Sequence, residues 1–157
     1  MLKILTNPVT LWVLFALFVI ETISFGLVMA IWDFGFIDEM SDPEKIQRHI
    51  DNMSQSQRMT HAWMTGTLDV AYPLTYGSLF AGLSLRAFRP SLAIPAFAVI
   101  PTDLAEGVVQ ILLLTGNDQL LWLKAYITPL KFALIIIALL IAITAIAMEI
   151  RNAKRRA

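Results

Sequence analysis

The chain has 157 residues, 57% of them hydrophobic and 15% charged, with a formal net charge of zero and no cysteine. One domain is the natural reading of that length, and so apolar a balance lies outside the soluble norm. Without cysteine, disulfides, thiolate metal sites and cysteine catalysis are excluded.

A hydrocarbon core about 30 Å thick needs roughly 20 apolar residues at 1.5 Å rise each. Val9–Trp32, Ala62–Leu85, Leu92–Leu114 and Trp122–Met148 meet that length. Four such segments leave too few residues to cover them in water. The sequence therefore predicts an all-α membrane protein, a four-transmembrane-helix bundle, with residues 1–157 as a single integral membrane domain. In the first segment Val28-Met29-Ala30 resembles a signal cleavage site. The apolar run is about twice the length of a signal's core region, which predicts a retained first helix.

The loop between the first two segments, residues 33–61, is acidic: Asp33, Asp38, Glu39, Asp42, Glu44 and Asp51 stand against Lys45, Arg48 and Arg58. Within it, Ser41-Asp42-Pro43-Glu44 reads as a helix start, with a capping side chain, proline in the first turn and an acid at the positive end. Ile46, Ile50 and Met53 follow on one face, which predicts a short amphipathic helix on the outer surface. Lys3, then Arg86 and Arg89, then Arg151, Lys154, Arg155 and Arg156 fall at alternate ends of the spans. Lysine and arginine concentrate on the cytoplasmic side, so both termini are expected inside, in a bacterial inner membrane, with the acidic loop outside. The basic tail is expected on anionic headgroups of the bilayer, with no nucleic-acid role.

Five ionisable residues lie inside predicted hydrocarbon: Glu21, Asp69, Asp103, Glu106 and Lys131. Each costs on the order of 2.5–3.5 kcal/mol at a helix centre, so they must face the bundle interior, face one another or be neutral. The helical rise puts Asp69 about 10 Å below the outer boundary, Glu106 about 12 Å, Lys131 about 14 Å, and Asp103 and Glu21 about 16–17 Å. All five fall in the outer half of the bilayer. In the second span His61, Thr65, Asp69, Tyr72 and Tyr76 form a stripe that begins at the outer mouth. Asp103, Glu106 and Gln110 share a face of the third span, and Thr128 and Lys131 a face of the fourth. Buried hydrogen bonds that merely join helices are the plain alternative. Four carboxylates against one lysine are more acid than packing requires. Asp103 and Glu106 are the pair expected to share a proton, with Lys131 partnering whichever acid stays ionised. Pro73, Pro101 and Pro129 each lie within four residues of one of these groups, which predicts opened helix backbone beside a polar cavity.

"LDVAYPLTYG", "DLAEG" and "TPLK" resemble the motifs of a group of small, uncharacterised bacterial four-helix inner-membrane proteins. Asp69, Pro73, Tyr76, Gly77, Asp103, Glu106, Thr128 and Lys131 match, whereas Gly107 stands where the group usually has Asn. The resemblance covers roughly Asp69 to Lys131 and implies one shared polar site, without adding a chemistry.

Three functions fit these residues. The first is a site that binds or conducts a proton, a cation or a small amine or lipid ligand, with Tyr72 and Tyr76 able to contact a cation. The second is an intramembrane acid/base enzyme, isomerase-like, acting on a lipid or isoprenoid. The third is an accessory or assembly subunit of a larger membrane complex; a homodimer is also allowed. No zinc-protease motif, nucleophile elbow or phosphate-cradling glycine loop is present. His49 and His61 both lie toward the outside, which argues against bis-histidine haem, so neither metal nor cofactor is expected.

Overall fold

Helix boundaries follow local chemistry throughout. Asn7 caps the first long helix by accepting from the Val9 amide at 2.9 Å, with Pro8 at the first helical position. The computed structural model describes residues 2–33 and 35–155. Its helices are α1 (Leu2–Leu5), α2 (Pro8–Trp32), α3 (Pro43–Asn52), α4 (Gln55–Ala87), α5 (Ile94–Leu114) and α6 (Leu121–Lys154). Short 3-10 turns, Pro90–Ala93 and Asp118–Leu120, lead into α5 and α6, and no strand occurs among the described residues. Arg156, part of the basic tail, lies outside the described residues.

Three of these segments are long and apolar enough to cross a membrane: Pro8–Trp32, Pro90–Leu114 and Asp118–Lys154. The second expected span belongs to α4, which at 33 residues is long enough but more polar, and which packs against α2, α5 and α6. It also begins well before Ala62. Ser54 and Gln57 form a reciprocal capping box, at 3.2 and 2.9 Å, that extends the helix beyond its apolar run. The Gln57 amide further donates to the Asp33 carbonyl at 2.8 Å, tying the end of α2 to the start of α4.

Contacts between helix ends give an up-and-down bundle. At one end Gly82 of α4 lies under the Leu5 carbonyl, and Arg86 of α4 pairs with Glu149 of α6 at 2.6 Å. At the other end His61 of α4 meets Gln110 of α5. Trp32, Trp63 and Trp122 are exposed at that second end and Trp12 near the first, as interfacial anchors would be. Two apolar clusters fill the interior. One, around Leu11, Phe80, Ala96, Val99, Ala138 and Ala142, uses small residues to bring α4, α5 and α6 close. The other, around Phe25, Ile37, Met64, Val109 and Leu113, lies toward the end that α3 covers.

Two expectations change. Asp42 caps α3, accepting from the Glu44 and Lys45 amides, and the amphipathic face is real. Yet Ile46 and Ile50 are buried in the second cluster, so α3 caps the bundle with its apolar face on protein. Nor do the prolines open the backbone: α4, α5 and α6 run as continuous helices through Pro73, Pro101 and Pro129. A proline removes one ladder hydrogen bond, and the remaining turns are held by packing on neighbouring helices.

Candidate functional site

Between the two apolar clusters lies a band of buried polar side chains from α4, α5 and α6. Asp103, Glu106 and Gln110 share one face of α5, as their spacing of three and four residues requires. Lys124, Thr128 and Lys131 share a face of α6 turned toward them, and all six are buried.

The pairing is dense. Lys131 bridges both acids, lying 3.3 Å from Asp103 Oδ1 and in direct contact with Glu106 Oε2. Lys124 donates to Glu106 Oε1 at 2.8 Å and to Gln110 Oε1 at 3.1 Å. Thr128 donates a short hydrogen bond to the same Glu106 oxygen. Tyr76 of α4 donates to Asp103 Oδ2 at 2.7 Å. The Gln110 amide donates to Thr65 at 3.0 Å and lies 3.1 Å from His61 Nε2. Asp103, Glu106, Lys124 and Lys131 thus form a compact set of two acids and two bases, held by hydroxyl and amide donors. Buried charges are tolerated in that arrangement because each is both paired and hydrogen-bonded.

Lys124 was not among the residues expected in the site. It changes the balance there: two lysines, rather than one, face the acids, so Asp103 and Glu106 do not need to share a proton. A signal was present, since Lys124, Thr128 and Lys131 follow at intervals of four and three. A lysine just inside Trp122 reads as one that snorkels to the headgroups. The α3 cap and the neighbouring Glu106 leave it 0% exposed instead.

The other expected residues separate. Glu21 lies on the seam between α2 and α4, where it accepts from Thr75 Oγ1 at 3.0 Å, and it does not join the charged band. Tyr72 meets Thr22 of α2 at 3.3 Å and stacks on Phe18, with ring centroids 5.4 Å apart. Asp69 makes no hydrogen bond or ion pair among the described residues. The stripe on α4 is therefore split: His61 and Thr65 bond α5, Tyr76 holds Asp103, and Asp69 and Tyr72 make no hydrogen bond to α5 or α6 among the described residues.

They face a groove. A cavity of about 720 Å³ has α2 and α6 as walls and α4 as floor. Its polar lining is Thr22, Asp38, Glu39, Asp69, Tyr72, Tyr76, Asp103 and Lys131, with Asp38, Glu39 and Asp69 toward the end that α3 covers and Thr22, Tyr76 and Asp103 near the middle of their helices. The rest is apolar, from Phe18 and Phe25 on α2 to Ile135, Leu139 and Ile146 on α6. Leu139, Ile143 and Ile146 keep 39–53% of their surface exposed, so the groove opens sideways. Gly107, the residue that departs from the resembled motif, faces Thr65 and the Asp69 carboxylate, at 3.4 and 3.7 Å from a Cβ placed there. Gly77 is needed for close approach: a Cβ would collide with the Ile100 side chain and lie 3.0 Å from the Ala96 carbonyl oxygen.

Among the described residues no group of three or more histidines, cysteines or acids is arranged to hold a metal ion. No family model, curated protein or solved structure matches the chain.

Proposed function

We propose that this chain is an integral protein of a bacterial inner membrane that binds a membrane-resident ligand in the groove between α2 and α6. In this reading α4 is the fourth span, both termini are cytoplasmic, and α3 covers the outer end. The observation that carries it is the groove: about 720 Å³, apolar along most of its length and polar at one end. Ligand sites commonly occupy about 300–1,000 Å³, with a few polar groups among apolar walls. A groove that opens sideways toward hydrocarbon admits a chain from the bilayer, and its polar end receives a headgroup.

Gly26 gives the direct test. It lines the groove, and nothing lies within 4 Å of a Cβ placed there. Gly26→Trp should bring a bulky ring into the groove from a position where the Cβ itself meets open space. Mild-detergent extraction followed by native mass spectrometry should then show a lipid-like adduct on the wild type that is lost from the variant. Equal adducts on both would refute the groove as the binding site.

A second reading, acid/base chemistry on the bound molecule, is supported by Asp103. That carboxyl lines the groove while holding the Tyr76 hydroxyl and the Lys131 ammonium, a set able to move a proton. Under this reading Asp103→Asn should retain the ligand and change which isomer is bound, as resolved by chromatography of the released ligand, because an isomerisation leaves the mass unchanged. The same isomer released from wild type and variant would count against it.

A further inference from the structure

The charges of the groove select its ligand. The buried band is internally matched: Lys131 and Lys124 are held by Asp103 and Glu106. Asp69 is different. It sits on the groove floor, and no hydrogen bond or ion pair reaches it among the described residues. Asp38, in the loop before α3, also lines the groove, and its Oδ1 is shut off from solvent without a hydrogen bond. Glu39 adds a third acid at the rim. Among the described residues Lys131 is the one basic residue of the lining, and it is already occupied by two carboxylates.

The walls beside Asp69 are aromatic. Tyr72 is stacked on Phe18, and its ring centroid lies 5.2 Å from those of both Phe25 and Tyr76. Such a wall attracts a cation through the negative faces of its rings, and more strongly where water is excluded. A phosphate or carboxylate head would meet acids and no free base there. An ammonium would find two unpaired carboxylates and an aromatic surface, with its chain lying along the apolar length of the groove.

We propose that the groove binds a single-chain amphiphile with an amine headgroup, its ammonium seated between Asp69 and Asp38 against Tyr72. This assignment rests on the groove being a ligand site and adds the charge of the head. Asp69 and Asp38 are ligand-binding residues on this view, and the Asp103–Lys131–Glu106–Lys124 band supports the floor without supplying the counter-charge.

The test is a comparison of three ligands of equal chain length on the intact protein in neutral detergent, counted as adducts by native mass spectrometry. Hexadecylamine should occupy the wild type at about tenfold lower concentration than hexadecanol, the difference that one charge-assisted contact carries. Hexadecanoate should be excluded. Asp69→Asn should bring hexadecylamine down to the level of hexadecanol and leave hexadecanol unchanged, and Asp38→Asn should weaken the amine in the same direction. Asp118→Asn removes an exposed acid remote from the groove lining and should change nothing. Equal or better binding of the alcohol or the acid overturns the amine assignment while leaving the groove a ligand site. An equal loss in Asp118→Asn overturns it as well, since surface charge would then account for the preference. Absence of all three adducts overturns the groove reading and the amine assignment together.

Discussion

The Lys124 ammonium donates to Glu106 Oε1 at 2.8 Å, and neither side chain has more than 1% of its surface exposed. This ion pair joins the start of α6 to the middle of α5 beneath the α3 cap. Charges so deeply buried are tolerated only as matched sets, and removing Lys124 would leave two acids, Asp103 and Glu106, against the single Lys131.

Lys124→Met should therefore destabilise the bundle by about 1.5–3 kcal/mol, the cost of a lost charged hydrogen-bond donor, because Glu106 keeps the Lys131 ammonium and the Thr128 hydroxyl. Adding Glu106→Gln should restore part of the loss. Unfolding titrations of the two single variants and the double variant would measure the coupling. Additive losses would mean that the pair does not act as a unit.

Tyr76 and Tyr72 neighbour each other on α4 yet should respond differently. Tyr76→Phe takes the 2.7 Å donor from the buried Asp103 and should cost about 1.5–3 kcal/mol, as for hydrogen bonds to charged groups. Tyr72→Phe loses a 3.3 Å contact with the exposed Thr22 and should cost about 0.5 kcal/mol or less. Thermal unfolding in detergent ranks them, and equal losses would contradict the geometry.

Gly82→Ala should loosen the end of the bundle where α1 crosses α4. A Cβ there would lie 2.5 Å from the Leu5 carbonyl oxygen and 2.8 Å from Leu11 Cδ2. The first neighbour is backbone and cannot turn aside, so a loss of about 1–3 kcal/mol is expected. Gly26→Ala, in open space, serves as the neutral control.

Asp42→Ala removes the acceptor for the Glu44 and Lys45 amides, at 3.0 and 3.3 Å. An N-cap of this kind contributes about 1 kcal/mol. Hydrogen exchange should quicken in α3 by about fivefold while α5 and α6 stay unchanged. Quickening spread over the whole bundle would show that the cap stabilises more than its own helix.

Much of this arrangement was legible in the residues, and the failures have identifiable causes. The apolar runs of α2, α5 and α6 and the faces Asp103–Glu106–Gln110 and Thr128–Lys131 follow from hydropathy and helical periodicity alone. Lys124 was missed because a lysine near a helix end normally reaches the headgroups, and only the way α3 folds over the bundle shuts it in. Glu21 lies at a suitable depth but on the wrong face, since depth follows from residue number while facing depends on how α2 packs. Asp38 sits in a loop, where no period relates it to the groove.

The sequence by itself determined that the chain is helical, which stretches are apolar enough for a bilayer, and which polar residues lie side by side along each helix. Those properties are local: a rise of 1.5 Å and a turn of 3.6 residues fix them before any helix meets another. Tertiary structure alone decided which acids are matched by lysines, which face a groove unpaired, and that α3 turns its apolar face onto the bundle. Pairing of buried charge is a relation between helices distant in the chain, and it is set where their side chains converge.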